Sequence, residues 1–588
     1  MHASLTELPR NADIAGLLTR IARFFTLQGD STYRILAYEK AAQIIRDHPT
    51  SVAQLALSGG LRTLPGVGAT IEETIREYVD TGHAALLQNL RGEYPDSIVD
   101  LLDIPGLGPR KVITLWNELG IDNLDALREA CLRGKVAGVT GMGPRTEEKL
   151  LAELDAIDVR SSQFLLGFAE PHAYHLAAAL RNIPGVSTAD TAGSIRRRCS
   201  TVQSIDLVAG SRRPNDVMNA FAAFPEVAHV RERGNTSLVG TAHTSIPLHL
   251  RVVDPSAYGN LLQYATGSEN HNAALRTYAL GRGLDISEHG VANKRQDSIF
   301  TTPAESCLYD HLGLPWIPPE LREDRGEIEA AQGGSLPRLI ERTDLRGDLH
   351  VHTDWSDGKA NIEEMALAAR SAGLDYICIC DHTQSLAVAR GLNTERLYRQ
   401  REAIAEINNR IEGITILAGC ELDILANGRL DLPDGVLSEL DFVVASIHSA
   451  LSQPRKQIMK RLKAAMENPH VDAIGHPTGR LLLRRTAYDV DVECILELAA
   501  QTGTALEINS SFERLDIPGN IAQEAVVRGV SLVINSDAHN PEGFGLLRFG
   551  IGEARRGWVE PSSVLNTRPW PEMVQILRDP KGGFSRPR

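Results

Sequence analysis

From residue 343 onward the chain alternates between two hydrophobic rhythms. Short apolar runs rich in β-branched residues end in polar side chains, and helix-length segments such as 362–372 and 490–501 separate them. Asp348–His352, Tyr376–Cys380, Ile416–Cys420, Phe442–Ile447, Val471–Gly475, Ala505–Asn509 and Val530–Ser536 therefore read as strands of repeated βα units. About seven such units predict a parallel barrel. The pattern upstream is different. Ile14, Leu17, Leu18, Ile21 and Phe24 recur at helical spacing, as do Ala41, Ile44 and Ile45, so residues 12–80 read as helices joined by short turns.

At 588 residues the chain is too long for one core, and length alone predicts about four domains. It has no run of about 18 apolar residues, so a membrane-spanning helix is not expected. Met1–Glu7 lacks a signal-peptide core, and a cytoplasmic location is expected. Seven cysteines without a Cys-x-x-Cys pair argue against a disulfide framework, and Cys378 and Cys380 read as small buried hydrophobes. A net charge of −14 excludes attraction to nucleic acid by the molecule as a whole. Any such contact must come from local basic or amide-rich surfaces.

Candidate chemistry sits at the ends of the C-terminal strands. His350, His352, Asp357, His382, Glu421, His448, His476, Asp537 and His539 all lie at or just after apolar runs. In a βα barrel the strand C-termini share one face, so residues far apart in sequence can surround a single cavity. Side chains alternate along a strand, so His350 and His352 point to the same side and can chelate together. One histidine at a strand end is unremarkable; six histidines with three carboxylates in one segment are not. They exceed what one tetrahedral ion needs, which implies two or three divalent ions and hydrolytic phosphoester chemistry. The run Ala505–Asn509 carries no obvious ligand.

A second repeat lies near the start. Leu64-Pro65-Gly66-Val67-Gly68, Ile104-Pro105-Gly106-Leu107-Gly108 and Val139-Thr140-Gly141-Met142-Gly143 each precede a helix-length segment. A Gly-x-Gly hairpin entering a helix presents backbone N–H groups at a positive helix end, which suits a phosphate and needs little net charge. Arg110, Lys111 and Arg145 stand beside two of the three. A tight interhelical turn also favours glycine, but three copies in under a hundred residues point to DNA-backbone contacts at Gly66, Gly68, Gly106, Gly108, Gly141 and Gly143.

The ligand pattern over residues 343–560 resembles the polymerase and histidinol phosphatase (PHP) family of metal-dependent phosphoesterases. That resemblance implies one ion on His350, His352, Glu421 and Asp537, a second on Asp357, His382 and His476, and a third on Glu421, His448 and His539, with manganese or zinc as the metal. The three hairpins look like helix-hairpin-helix motifs. With Tyr33–Ala42 they resemble the DNA-binding domain and fingers of family X DNA polymerases over residues 12–155. Polymerase β-like members place a Schiff-base lysine on the helix after the first hairpin; here Thr70–Ile75 contains none, so that lyase activity is not expected.

Residues 160–318 continue the likeness. Gly193-Ser194-Ile195-Arg196-Arg197-Arg198 matches the segment that holds the incoming triphosphate in the family's palm, and Tyr264–Asn272 resembles its thumb. The palm then departs from the pattern. The resemblance calls for three carboxylates holding two magnesium ions, yet Ser204-Ile205-Asp206 keeps one acid of the pair, and His249 stands where the third belongs. Serine and histidine are poor donors for a hard dication, so Gly193, Ser194, Arg197 and Asp206 are expected to be a vestigial nucleotide site. Asp254 lies past the strand and is not expected to substitute.

The whole chain resembles bacterial family X polymerases with a C-terminal PHP domain. The expected fold is multidomain: a helical DNA-binding domain at 1–85, helical fingers at 86–158, an α+β nucleotidyltransferase-like palm at 159–258, a thumb at 259–318, and a distorted (β/α)7 barrel at 343–588. Residues 319–342 read either as a linker or as an ordered loop packed on the barrel, and the basic end Lys581–Arg588 as frayed. The resemblance implies a monomeric DNA repair enzyme acting on gapped, recessed or abasic DNA, with 3′→5′ exonuclease or 3′-end processing by the barrel and an inactive or severely impaired polymerase site. The alternatives are a working gap-filling polymerase with the same exonuclease, a small-molecule phosphatase, and a DNA-binding protein with structural metals.

Overall fold

The computed structural model describes residues 8–48, 51–160, 162–293 and 298–578; the chain start and the basic end Lys581–Arg588 lie outside them. The chain divides into two compact units. One comprises Met1–Phe164, Phe168–Thr191 and Val202–Tyr258, and the other Leu165–Gly167, Ala192–Thr201 and Gly259–Arg588. No described helix is long and apolar enough to cross a membrane.

In the first unit the helix Asn11–Gln28 buries the stripe Ile14, Leu17, Leu18, Ile21 and Phe24 that its spacing predicts. It ends at Gly29 in the left-handed region and packs on the helix Thr32–Asp47, which Ser31 caps. The three hairpins share one construction. Each opens with a 3-10 turn (Leu61–Thr63, Asp96–Asp103, Val136–Gly138), and each leads into a helix (Ala69–Thr81, Pro109–Leu119, Pro144–Arg160). The apolar residue between the glycines, Val67, Leu107 or Met142, is buried and anchors the turn. Gly66, Gly106 and Gly141 have φ of +78°, +92° and +77°, a conformation that costs L side chains strain.

The same unit carries a five-stranded sheet in the order β1-β2-β5-β4-β3: Val186–Thr191 (β1), Ile205–Ser211 (β2), Val227–Arg233 (β3), Ser237–Ala242 (β4) and Pro247–Val253 (β5). Strands β2 and β5 run parallel, and their register sets Asp206 directly opposite His249.

In the second unit, a three-stranded antiparallel sheet, Leu284–Ser287 (β6), Gly290–Asn293 (β7) and Ser298–Phe300 (β8), accompanies the helices Glu269–Gly281 and Glu305–Leu312. Residues 319–342 are an ordered strap. Leu321, Arg322 and Glu327 are fully buried, Glu320 pairs with Arg555 at 2.7 Å, and Ile340 N–H donates to Val559 O at 3.0 Å. Of the two readings of that stretch, the packed loop is the observed one.

The barrel has seven parallel strands in chain order, as expected: Gly347–Val351 (β9), Tyr376–Ile379 (β10), Thr415–Asp423 (β11), Phe442–Ser446 (β12), Ala473–Ile474 (β13), Ala505–Asn509 (β14) and Leu532–Asn535 (β15). Every residue of β9, β10, β12, β14 and β15 is buried, which is why these runs are mostly apolar. Leu349, Cys378, Cys380, Phe442 and Val533 fill the interior, and Leu565 and Met573 join the same cluster, with Trp570 packed against it.

The ring closes weakly by backbone alone: one bridge joins Val351 to Ala538, and His352 N–H donates to Ala538 O at 2.9 Å. Side chains complete the seam. Asn535 Oδ1 accepts Leu349 N–H at 2.9 Å, and Asp348 accepts Ser536 N–H at 3.2 Å. Asn566 Oδ1 accepts Ile534 N–H at 3.1 Å while its amide donates to the carbonyls of Gly347 at 2.8 Å and Ile534 at 2.7 Å. Asn566→Ala strips a partner from three buried backbone groups and should destabilise the unit by about 2–4 kcal/mol, read as a lower urea midpoint. An unchanged midpoint would show that the seam is held elsewhere.

Candidate functional site

The C-terminal ends of six of the seven barrel strands deliver the predicted donors to one bowl. Glu421 lies at its centre, on β11, and is buried. Its Oε2 stands 2.8 Å from His382 Nδ1, 3.5 Å from His350 Nε2 and 3.6 Å from His352 Nε2. Its Oε1 stands 2.9 Å from His476 Nε2 and 3.2 Å from His448 Nε2. Asp537 Oδ1 approaches His352 Nε2 at 3.1 Å, and Asp357 faces His539 at 3.4 Å and His382 at 3.5 Å. All nine predicted residues thus meet.

The bowl is built at some cost to the backbone. His476 and Asp537 have φ of +29° and +55°, in the left-handed region that non-glycine residues avoid. Before His476 the chain passes so close to β12 that a Cβ on Gly475 would lie 2.4 Å from Ser446 Oγ.

Three donor groups are compact enough to hold an ion: His352, Asp357, His382 and His539; His350, His352 and Asp537; and His382, Glu421 and His448. This partition differs from the implied one, which set His539 with His448 and His476 with Asp357. The seam explains the difference. Residues 537–539 follow β15, which abuts β9, and Lys359 N–H donates to His539 O at 2.8 Å. His539 therefore stacks on His352, with ring centroids 4.2 Å apart, and His476 falls beside His448 instead.

The donor set suits divalent cations. His350 Nε2, both ring nitrogens of His352, His382 Nδ1 and His476 Nδ1 are buried without a hydrogen-bond partner, an arrangement that wastes polar groups unless something binds there. Burial acts to raise the carboxyls of Glu421 and Asp537, but the surrounding imidazoles hold both well below the ordinary carboxylate range. Burial likewise lowers His352, with His539 and His382 adding to it, to about 3. His382 goes the other way, since Glu421 and Asp357 outweigh its burial and raise it to about 10. Protons here occupy positions a cation would take, so metal binding would release them.

Four functional neighbours escaped the sequence reading. Asp423, two residues beyond Glu421 on the same face of β11, accepts from His448 Nδ1 at 3.0 Å, and that i, i+2 spacing was a usable signal. Asp381 accepts Thr353 N–H at 2.8 Å and also takes Ser356 Oγ, fixing the loop that carries Asp357. Glu507 and Asn509, on β14, back His350 at 2.7 Å and Asp537 at 3.1 Å. Neither belongs to the three compact donor groups.

The helices after the hairpins at Gly68 and Gly108 start without a side-chain cap, so no capping side chain occupies their first amides. Arg110 and Arg145 are exposed next to their glycines, whereas Lys111 bends back to Gly106 O at 3.0 Å.

The palm residues are placed differently. Asp206 receives Ser204 Oγ at 3.1 Å and lies 2.8 Å from His249 Nδ1, so its carboxylate is occupied by these two side chains. Asp254 caps Ser256 N–H at 3.0 Å beyond the strand. In the other unit, Gly193 and Ser194 open the short helix Gly193–Arg196, and Arg197 is engaged by Glu323 at 3.1 Å and by Thr266 O at 2.7 Å. Glu323 also binds Arg556 of the barrel at 2.9 Å.

Sequence comparisons agree with this anatomy. Residues 9–84 match a helix-hairpin-helix domain, 98–156 a SAM-like helix-hairpin-helix tandem, 261–323 a DNA polymerase beta thumb, and 348–511 a PHP domain. A DNA polymerase/3′-5′ exonuclease PolX of Bacillus subtilis is 39% identical over 568 residues, covering 96% of this chain and 99% of the relative. The chain belongs to the PolX family. Relatives of the barrel alone include a probable phosphatase of Thermoanaerobacter sp., 34% identical over 37% of this chain and 89% of its own length. Another from Caldanaerobacter subterraneus is 35% identical over 33% of this chain and 75% of its own. The PHP match ends before Asp537 and His539, so within this PolX chain the bowl's geometry itself ties those two to the rest.

Beside Arg197, the buried Glu305 binds Arg196 and Arg322, both at 2.7 Å, and Trp316 at 3.1 Å. Burial acts to raise its carboxyl, but the two guanidiniums prevail and lower it from 4.5 to about 2. A depressed carboxyl stabilises the fold above its unfolded value and loses that contribution as pH falls through its folded one. Glu305→Gln should cost about 3–5 kcal/mol at neutral pH by leaving the buried Arg322 and the partly buried Arg196 short of a partner. In urea melts the gap from wild type should narrow between pH 4.5 and pH 2; a gap independent of pH would refute the pairing.

Proposed function

We propose that this PolX-family chain is a DNA repair enzyme whose working centre is the barrel, a metal-dependent DNA phosphoesterase. In this reading residues 1–158 hold DNA, residues 159–318 are a palm and thumb retained as scaffold, and residues 343–588 remove nucleotides from, or trim, 3′ ends. The observation that carries it is the contrast between two sites: nine donors meet around Glu421, while Asp206 is left with Ser204 and His249 for company.

The three donor groups around the bowl would hold two or three ions, manganese or zinc given the mixed imidazole and carboxylate set. When bound, such ions polarise a phosphoryl oxygen and lower the pKa of water enough to make a nucleophile near neutral pH. The chain's own contribution is to converge imidazoles and carboxylates and to brace them from behind with Asp381, Asp423 and Glu507. The palm, with one carboxylate of three, lacks the charge to retain two magnesium ions, and Arg197 is already paired with Glu323. The reading includes action as a monomer in the cytoplasm on gapped, recessed or abasic DNA.

A second reading, a working polymerase with the same exonuclease, draws on the name of the Bacillus relative. A third, a small-molecule phosphatase, draws on the names of the barrel-only relatives, but the hairpins argue for DNA. A recessed primer given manganese and all four deoxynucleotides should become shorter. His350→Ala and Asp537→Ala should each reduce that shortening more than about a hundredfold while still binding DNA. Template-dependent extension that Asp206→Ala abolishes would overturn the silent palm. Phosphomonoester turnover without DNA cleavage would favour the phosphatase.

A further inference from the structure

Strand β14 sends no donor into the bowl, yet Glu507 lies fully buried at its base. Its two oxygens accept four hydrogen bonds. Oε1 takes His350 Nδ1–H at 2.7 Å and the Asn535 amide at 3.0 Å; Oε2 takes the His476 backbone N–H at 2.7 Å and the Asn509 amide at 3.1 Å. A carboxylate offers about four lone-pair directions, so Glu507 has none left for an ion. The Asn509 amide reaches onward to Asp537 Oδ2 at 3.1 Å. One side chain therefore touches the ring of His350, the backbone of His476 and, through Asn509, the carboxylate of Asp537.

We infer that Glu507 is the positioning residue for the His350–His352–Asp537 end of the metal cluster, setting which nitrogen of His350 carries the proton. This rests on the metal-dependent reading above. A carboxylate only accepts, so the proton shared with Glu507 resides on Nδ1, and Nε2 is the nitrogen turned toward Glu421 at 3.5 Å and Asp537 at 3.8 Å. The buried Nε2 has no hydrogen-bond partner of its own. Glu507 also holds the amide of His476, whose left-handed φ of +29° needs an external restraint. Asp423 does the corresponding work for His448 at the opposite end of the bowl, accepting its Nδ1 at 3.0 Å.

Glu507→Gln keeps the shape but replaces one acceptor by an amide that can donate to Nδ1 and so favour the proton on Nε2, closing the ligand position. In the full-length protein, titrated with zinc alone in competition with a chelator, this variant should bind one ion roughly 10–100-fold more weakly and retain the others. Asp423→Asn should weaken a different ion, so the double variant should lose two. Asn509→Ala, which leaves the carboxylate intact, should show a smaller loss at the same ion as Glu507→Gln. Glu507→Gln with wild-type zinc stoichiometry and affinity would overturn the assignment. If Glu507→Gln does not fold, the Asn509→Ala titration and nitrogen NMR of histidine-labelled, zinc-loaded wild type decide; zinc on Nδ1 of His350 with the proton on Nε2 overturns the proposal. Wild type that takes up no zinc or manganese would sink the metal reading itself, an outcome distinct from failure at Glu507.

Discussion

A carboxylate with almost no access to water, Glu421, is surrounded by five imidazoles, and most of the barrel's peculiarities follow from having to support that arrangement. Charges removed from water are tolerable only when paired and hydrogen-bonded, and unpaired imidazole nitrogens are costly for the same reason. The barrel responds with a further ring of acids, Asp381, Asp423 and Glu507, whose acceptors are satisfied by loop amides, hydroxyls and imidazole N–H groups. It also accepts left-handed backbone at His476 and Asp537 and a glycine at 475 where no side chain fits. Stability is spent at one end of the barrel; the apolar plug of Leu565, Trp570 and Met573 packs against the interior cluster.

The strand-end donors were legible because a βα barrel converts a one-dimensional pattern, apolar run then ligand, into a shared face. What could not be read was which donors become neighbours. That depends on closure: the seam from β15 to β9 brings His539 against His352 and Asp357, across the bowl from His448. Sequence distance carries no trace of that contact. Glu507 was hidden for another reason, since it sits inside an apolar run where a lone acid offers no spacing partner to give it away. Asp423, two residues from Glu421, could have been found by strand alternation.

In the N-terminal region, hydrophobic spacing located the helices and the repeated glycines located the hairpins, because each turn needs a left-handed residue at a fixed distance from a buried apolar anchor. The strap at 319–342 resisted reading. Its acidic, glycine-containing composition is that of a spacer, but Glu320 and Glu323 are spent on Arg555, Arg197 and Arg556, and Arg322 is buried against Glu305. Composition reports charge and not its partners.

The surroundings of Asp206 and of Glu421 differ in how carboxylate charge is compensated. Holding two dications requires several negative oxygens in a small volume, and such a cluster repels itself when no cation is present. The barrel keeps its acids and interleaves them with imidazoles, which can hold protons when the ions are away. Asp206 has no such company of acids: a hydroxyl, Ser204 Oγ, and an imidazole, His249 Nδ1, occupy its carboxylate directly. Arg197 is drawn into an internal pair with Glu323 and thereby to Arg556 of the barrel. The N-terminal hairpins depend on neither site, since hairpin amides attract a phosphate through local dipoles and remain usable in a chain whose net charge is −14.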